Sequence, residues 1–434
     1  MQQHSKVALA SWIGTTVEFF DFYIYATAAS LVLNKIFFPD LSPIIGVAAA
    51  LATYGVAYIA RPAGGIIFGR LGDRLGRRRV LIITILLMGA CTVGVGVLPG
   101  YSVLGPAAAV ILVVLRLTQG VAVGGEWGGA VLMGLEHSPA NKKTLYASFA
   151  QMGSPTGLLL ANISFLALGG MSNELFTAIG WRIPFLASAV LILVGLAIRT
   201  AVDETPEFTN LDKAGRVSKS PLRLLFQTEK RSILLGILLV MAPSGPFYLV
   251  NTFLVSYLTT EGDVPRNQVL MLPFLVGLTQ AVFCIPIALL SDRIGARKVA
   301  IIGCAGAGLV GYPLFAVAAG GSMMLTSVMA VIGALSATFI HAAFGSLVPM
   351  QFPPDRRYSG AAISYNVSLA VGGGILPVLT TLSVSWFNGS ILGASIVTAI
   401  LAIGGLIGAS LMKNNVNAPR EAGRVSANTA TSAG

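Results

Sequence analysis

The chain has 434 residues, 55% of them hydrophobic and only 10% charged, with a mean hydropathy of +0.81. This excludes an ordinary soluble globule, in which about a quarter of residues are charged, and identifies a polytopic membrane protein. The net charge of +11 does not point to nucleic acid, because the basic residues sit in short clusters between apolar runs and form no continuous basic stripe.

Requiring roughly 20 apolar residues per crossing, the sequence predicts helices over 8–33, 44–69, 79–98, 106–134, 144–168 and 183–200, and then over 232–258, 268–290, 298–319, 323–348, 358–384 and 388–412. The expected fold is an all-α membrane protein of twelve transmembrane helices in two pseudo-symmetric six-helix bundles. The bundles cover 1–200 and 232–412, joined by a cytoplasmic linker over 201–231 and followed by a disordered tail over 413–434, which is rich in Asn, Ala, Ser and Thr and carries no heptads. The first apolar run is longer than a signal-peptide core and has no convincing cleavage site, so it reads as the first span. Of the 28 Lys and Arg residues, only Lys35, Arg182 and Arg266 fall on the side opposite the termini, and Arg61 and Arg116 lie within spans. The positive-inside rule therefore places both termini in the cytoplasm.

Cys91, Cys284 and Cys304 all lie in apolar runs and offer neither a disulfide framework nor a metal-ligand spacing. No cofactor or metal is expected. Gly306-Ala-Gly308-Leu-Val-Gly311 matches a dinucleotide fingerprint by eye, but it sits inside a span with no preceding strand.

Between the second and third spans, Gly69-Arg-Leu-Gly-Asp-Arg-Leu-Gly-Arg-Arg-Arg79 concentrates cations that cannot sit in hydrocarbon. Its Gly69, Asp73, Arg74, Gly76 and Arg77, with Glu126, form a candidate cytoplasmic gate. A partial copy, Ser291-Asp292-Arg293-Ile-Gly295-Ala-Arg297-Lys298, lies about half the chain length downstream and adds Asp292 and Arg293 to that gate. Gln151-Met-Gly-Ser-Pro-Thr-Gly157 and Asn366-Val-Ser-Leu-Ala-Val-Gly372 match at nearly the same offset. Together they indicate an internal duplication, which builds transporters with a site between the halves. Glycine pairs such as Gly65 with Gly69, Gly120 with Gly124, Gly125 with Gly129 and Gly153 with Gly157 predict close helix approaches.

Charges inside spans cost roughly 2.5–3.5 kcal/mol each on the insertion scale, which makes them functional candidates. Glu18 and Asp21 lie one turn apart near the middle of the first span, with Tyr25 continuing their face. Proton or cation binding is expected there, the alternative being structural pairing. On the fourth span, Arg116 and Gln119 are also one turn apart. Arg116 needs either a carboxylate from the first span or an anionic substrate, since its fork matches a carboxylate in bidentate geometry. Protonation of Glu18 or Asp21 would then free Arg116 for substrate, against the alternative of a permanent ion pair. Glu126 lies about 15 Å further toward the cytoplasm, where it is expected to pair with Arg77 or another loop arginine, with Arg61 in the same latch. His341 is a candidate proton shuttle or a packed histidine. Gln151, Asn251, Gln280, Tyr365 and Asn366 are candidate substrate contacts, because amides and phenols need partners in a dry interior.

The loop from Gly69 to Arg79 resembles the signature of the major facilitator superfamily, complete in its Gly, Asp-Arg, Gly and Arg-Arg-Arg positions. In the second-half copy Ala288 replaces the first glycine and Ala296 an arginine, so a weaker latch is expected there. Ile13-Gly-Thr-Thr-Val-Glu18-Phe-Phe-Asp21-Phe-Tyr-Ile-Tyr25, Arg61-Pro-Ala-Gly, Arg116-Leu-Thr-Gln-Gly-Val-Ala-Val-Gly-Gly-Glu126-Trp-Gly-Gly, Trp181-Arg-Ile-Pro-Phe185 and Glu204-Thr-Pro-Glu-Phe208 resemble the metabolite:proton symporter family. That family includes shikimate, 2-oxoglutarate, citrate and proline/betaine permeases of bacterial inner membranes, and the resemblance covers residues 7–412. It implies a proton-coupled symporter of a small organic acid, working by alternating access in the bacterial inner membrane, with the proton, the acid and the lipid bilayer as partners. A zwitterion such as betaine or proline is the alternative. The resemblance also implies that the first-span acids and Arg116 are the proton and substrate machinery, and that Asp73, Arg77 and Glu126 belong to the gate. Osmosensing members carry a long coiled-coil extension, which a chain stopping shortly after Met412 does not show. A membrane receptor would need a soluble sensory domain and an intramembrane enzyme a catalytic pair, and neither is legible. The transporter is expected to work as a monomer.

Overall fold

The computed structural model describes residues 3–41, 43–168, 170–200, 221–254, 266–269, 271–376 and 392–413, together with positions 209, 258 and 264. Among the described residues the structure is helical, with no strand. Helix α1 (Gln3–Ala28) continues through a π-helical turn, Ala29–Leu33. Helix α2 (Pro43–Leu75) starts on a proline, whose missing N–H is harmless in a first turn. It ends at Gly76, and α3 (Arg77–Val97) begins at once. Gly76 has φ 98° and its counterpart Gly295 has φ 100°, left-handed values that a glycine reaches without steric cost.

The next helices are α4 (Ala107–Gly124), α5 (Glu126–Glu136), α6 (Lys143–Gln151), α7 (Gly153–Leu166) and α8 (Arg182–Thr200). The second half contains α9 (Lys230–Tyr248), α10 (Met271–Ile294), α11 (Ala296–Ala319) and α12 (Met323–Leu347). It closes with α13 (Arg357–Leu369), which runs into a π-helical turn, and α14 (Leu392–Leu411). Breaks at Gly125 and Met152 divide the fourth and fifth predicted spans into α4–α5 and α6–α7.

By length and composition, eight described helices can cross a membrane, or nine if the bent pair Val7–Ala28 and Leu31–Phe37 is one span. The predicted spans at 44–69, 144–168 and 358–384 correspond to α2, to α6–α7 and to α13. The first carries Arg61, the second is interrupted at Met152, and the third extends into 377–391, outside the described residues. The linker at 201–208 and 210–220 and the tail at 414–434 also lie outside them, and Pro221–Thr228 is a short helix.

In the first bundle α1 packs on α7 and α8, and α4 on α2 and α3. In the second, α11 packs on α12 and α14, α9 on α14, and α10 on α12. The bundles meet where α2 and α5 contact α13 and where α6 contacts α10 and α12. Val110, Val190, Leu309 and Ile400 stand exposed on the outside, as lipid-facing side chains do.

The approach of α4 to α2 sets the position of the buried arginines. A Cβ on Gly120 would lie 2.2 Å from the Ala57 carbonyl, and one on Gly124 would lie 2.2 Å from that of Arg61. Gly124→Val is therefore expected to cost about 1–3 kcal/mol or more and to lower the thermal unfolding midpoint in detergent. Gly55→Ala, where a Cβ meets nothing within 4 Å, should raise it, by up to about 1 kcal/mol of helix propensity.

Candidate functional site

Glu18, Asp21, Arg61 and Arg116 are all buried in the first bundle. Helical periodicity sends Glu18 and Asp21 to different partners. Glu18 Oε1 lies 3.6 Å from Arg61 Nη2, and the Arg61 guanidinium stands 4.2 Å from the Phe22 ring and 4.7 Å from that of Tyr58. Arg61 thus belongs with Glu18 and not with the loop latch, because it lies about three turns from Asp73 along α2.

Asp21 connects to Arg116 through two neutral side chains. Arg116 Nη1 donates to Gln119 Oε1, Gln119 Nε2 donates to Thr92 Oγ1 at 2.8 Å, and Thr92 Oγ1 donates to Asp21 Oδ2 at 2.6 Å. Among the described residues Arg116 makes no ion pair. Its guanidinium is 3.9 Å from the Tyr25 ring and 4.9 Å from the Phe22 ring, so Phe22 stands against both buried cations. The Tyr25 hydroxyl bonds Thr53.

The Nε and Nη2 atoms of Arg116 are buried and make no hydrogen bond among the described residues. Aromatic faces supply about 2 kcal/mol to a desolvated cation, but they do not satisfy the fork's N–H donors. Nε and Nη2 form one edge of the planar fork, the edge that matches a carboxylate in bidentate geometry. The first bundle therefore presents a desolvated cation with two adjacent donors, linked at its other end to a carboxylate.

The amide, phenol and imidazole candidates collect mainly at the contact between bundles. Gln151, at the break between α6 and α7, receives Trp127 Nε1 on its Oε1 at 2.9 Å and donates to the His341 carbonyl at 3.2 Å. His341 Nε2 approaches the Gln151 carbonyl at 3.3 Å. The Trp127 ring stacks on Tyr365 at 3.9 Å and 8°. The break at Gly125 frees carbonyls of the first bundle for donors of the second: Asn366 Nδ2 donates to Gly124 O at 2.5 Å, and Tyr358 Oη to Gly125 O at 2.5 Å. Asn251, in the π-helical turn Leu249–Leu254, donates back to Phe247 O at the end of α9 at 2.7 Å, and Gln280 lines an apolar cavity inside the second bundle with Phe247, Phe315 and Thr398.

At the basic end, both repeated loops hold the opposite bundle by its helix N-termini. Asp73 Oδ2 accepts from Ser359 N at 3.2 Å and from Ser359 Oγ at 2.5 Å, in the first turn of α13. Asp292 accepts from Thr144 N and Leu145 N, each at 2.9 Å, in the first turn of α6. A carboxylate there satisfies N–H groups without an intrahelical partner and meets the positive end of the helix dipole. Each aspartate accepts two hydrogen bonds, and neither Ala288 nor Ala296 supplies one of these contacts. Gly69 is needed for the approach, because a Cβ there would reach 3.0 Å from Ser359 Cα.

Arg74 and Arg293 are exposed. Two arginines further along, Arg78 and Arg297, instead donate to the carbonyls of Thr200 and Ser410 at the ends of α8 and α14. Glu126 accepts from Thr84 Oγ1 at 2.5 Å, while the Arg77 side chain lies outside the described set. Sequence reasoning missed Thr92, Trp127, Ser359 and Thr144, and also the Glu136–Arg357 pair at 3.8 Å between bundles. Only that last pair had a sequence signal, as charges flanking two spans.

Residues 11–377 match the model of the Major Facilitator Superfamily. The chain is 38% identical over 388 residues to the inner membrane metabolite transport protein YhjE of Escherichia coli, covering 87% of this chain and 88% of that protein. It is 36% identical to the shikimate transporter of the same organism, with 89% of each covered. It is 32% identical to the proline/betaine transporter of Salmonella typhimurium, covering 95% of this chain and 84% of that one. A solved structure of the proton:xylose symporter XylE superposes with a TM-score of 0.76 at 18% identity, covering 94% of both chains.

Losing the charge-assisted bonds at either latch should cost roughly 1.5–3 kcal/mol, or about tenfold or more in the population closed at the basic end. Asp73→Ala and Asp292→Ala are each expected to speed alkylation of a cysteine placed at Ala362, which is packed between bundles against Gly65 and Gly128. An effect of Asp73→Ala alone would make the second latch dispensable.

Proposed function

The chain belongs to the major facilitator superfamily and is a multi-pass membrane transporter, not an enzyme, and from this premise we propose that it imports a small organic acid together with a proton. The observation that carries this reading is the Nε–Nη2 edge of Arg116, buried without a hydrogen-bond acceptor among the described residues. A substrate carboxylate supplies both the charge and the two acceptors that this edge lacks. The shikimate transporter among its relatives supports an acid of that kind.

Asp21 is the coupling carboxylate. While it is ionised, its charge compensates Arg116 through Thr92 and Gln119, and a second anion at Arg116 is disfavoured. Once it is protonated, Arg116 keeps an uncompensated charge in a low-dielectric interior, where attraction to an anion is strong. Proton and anion therefore bind best together. Glu18 already faces Arg61 and holds that cation in place. A zwitterion would need a second, uncommitted carboxylate beside Arg116. Since Glu18 pairs with Arg61 and Asp21 accepts from Thr92, a simple acid is favoured.

Transport proceeds by alternating access. The basic end faces the cytoplasm of a bacterial inner membrane, and Asp73 and Asp292 close it until the loaded carrier turns inward. Gln151, His341, Tyr365 and Asn366 seal the interface in this closed arrangement and reach the solute path as it opens.

Anion affinity should therefore be highest at low pH and decline as rising pH ionises Asp21. In proteoliposomes supplied with radiolabelled shikimate, Asp21→Asn is expected to retain exchange of substrate for substrate, to lose accumulation driven by a proton gradient, and to bind independently of pH. Arg116→Lys should weaken binding at least about tenfold, because an ammonium cannot form the bidentate fork. Unchanged gradient-driven uptake in Asp21→Asn would contradict the coupling. A panel including glycine betaine would reveal the zwitterion alternative.

A further inference from the structure

Thr92 lies on α3, whereas the buried charges of the candidate site lie on α1, α2 and α4, and its hydroxyl has two acceptors within reach. It donates to Asp21 Oδ2 at 2.6 Å, and the Met88 carbonyl lies 3.1 Å away. Its oxygen also accepts from Gln119 Nε2 at 2.8 Å. The other end of that amide holds Arg116 Nη1, so the donors run in one direction, from Arg116 through Gln119 and Thr92 to Asp21. All four side chains are buried.

We propose that Thr92 is the positioning residue of the coupling step, a hydroxyl switch that reports the ionisation state of Asp21 to Arg116 through the Gln119 amide. The proposal rests on the reading of Asp21 as the coupling carboxylate. With Asp21 ionised, Thr92 points its proton at Oδ2, and Gln119 is held with its oxygen toward Arg116. When Asp21 takes a proton on Oδ2, that oxygen becomes a donor. The Thr92 hydroxyl then turns to Met88 O, and its oxygen must accept from Asp21 as well as from Gln119. The bond from Gln119 weakens as it shares the acceptor, and the amide loosens its hold on Arg116 Nη1. No covalent bond changes apart from the proton arriving on Asp21.

The groups around Asp21 leave this route open. Ser188 of α8 is a second hydroxyl facing Asp21, with the Phe185 carbonyl at 2.8 Å as its other acceptor, and Asp21 Oδ1 has no hydrogen bond within bonding geometry among the described residues. Glu18, one turn away on α1, is held by Arg61 of α2. Tyr25 is bonded to Thr53, and Cys91 of α3 is a buried thiol. Arg116 of α4 is thus the charge that Asp21 senses.

Thr92→Val keeps the shape and removes the hydroxyl, while Thr92→Ser keeps the hydroxyl. In the full-length protein in lipid, the protonated-carboxyl infrared band that disappears in Asp21→Asn assigns Asp21, and its pH dependence can be followed without any substrate. The ionised form loses a charge-assisted bond in Thr92→Val, so the band's midpoint should move to higher pH by about one unit. Thr92→Ser should restore it, and Gln119→Leu should move it in the same direction by less. An unmoved midpoint in folded Thr92→Val overturns the relay, as does a shift that Thr92→Ser fails to reverse. A reversible shift in a protein that moves no proton with shikimate or any other acid upholds the relay and sinks the symport reading, so the two failures are distinguishable.

Discussion

Arg116 must keep a full positive charge inside a dry helical bundle, and the structure of the first half follows from that constraint. Its cation rests on Tyr25 and Phe22 and donates one hydrogen bond to Gln119, yet the adjacent edge of the fork makes no bond among the described residues. The contrast with Arg61 is informative. Arg61 has Glu18 at 3.6 Å and aromatic faces of its own, so two equally buried guanidiniums on neighbouring helices meet different electrostatic fates. Direct pairing makes one a fixed structural charge. Indirect pairing through two neutral side chains is what the proposed reading needs if the other is to respond to protonation and to an incoming anion. The close approach of α4 to α2, enforced by Gly120 and Gly124, brings both cations against the same Phe22 ring.

Under the proposed alternating access, a second constraint is that the halves must separate at low cost. The interface between them relies on carboxylates set against helix N-termini, a stacked pair of rings and donors aimed at carbonyls freed at Gly125. Each of these contacts has water as a ready alternative when the interface opens. The duplication is visible in the physics as well as in the sequence. Asp73 and Asp292 each take the first turn of a helix in the other bundle, whereas Arg78 and Arg297 each hold the last turn of a helix in their own. One acid contacts the opposite half, and one arginine contacts its own.

Much of this was legible in the sequence. Long apolar runs give the spans, because a backbone in lipid must satisfy its own hydrogen bonds, and the repeated Asp-Arg loop gives the two halves. The charges at Glu18, Asp21, Arg61 and Arg116 stood out because hydrocarbon makes any ion expensive. Their partners did not, since pairing depends on helix rotation and depth: Arg61 was read as part of the latch and proved to face Glu18. Neutral participants were harder still. Threonine and serine are common in apolar helices, where they usually bond their own backbone, so nothing in the chain distinguishes Thr92 or Ser359 from a dozen others. In the copied loop the missing glycine and arginine are conspicuous in the sequence, whereas the contact is made by the retained Asp292 and a helix end in the opposite bundle.

On the proposed mechanism an anion at Arg116 and a proton at Asp21 bind together. Calorimetric titration of the purified protein with shikimate near neutral pH, repeated in buffers of different ionisation enthalpy, measures the protons taken up per anion bound. Uptake approaching one proton per carboxylate is expected, abolished in Asp21→Asn while binding persists. Binding heat that is independent of buffer in the unsubstituted protein, across the pH range in which its affinity changes, would contradict it.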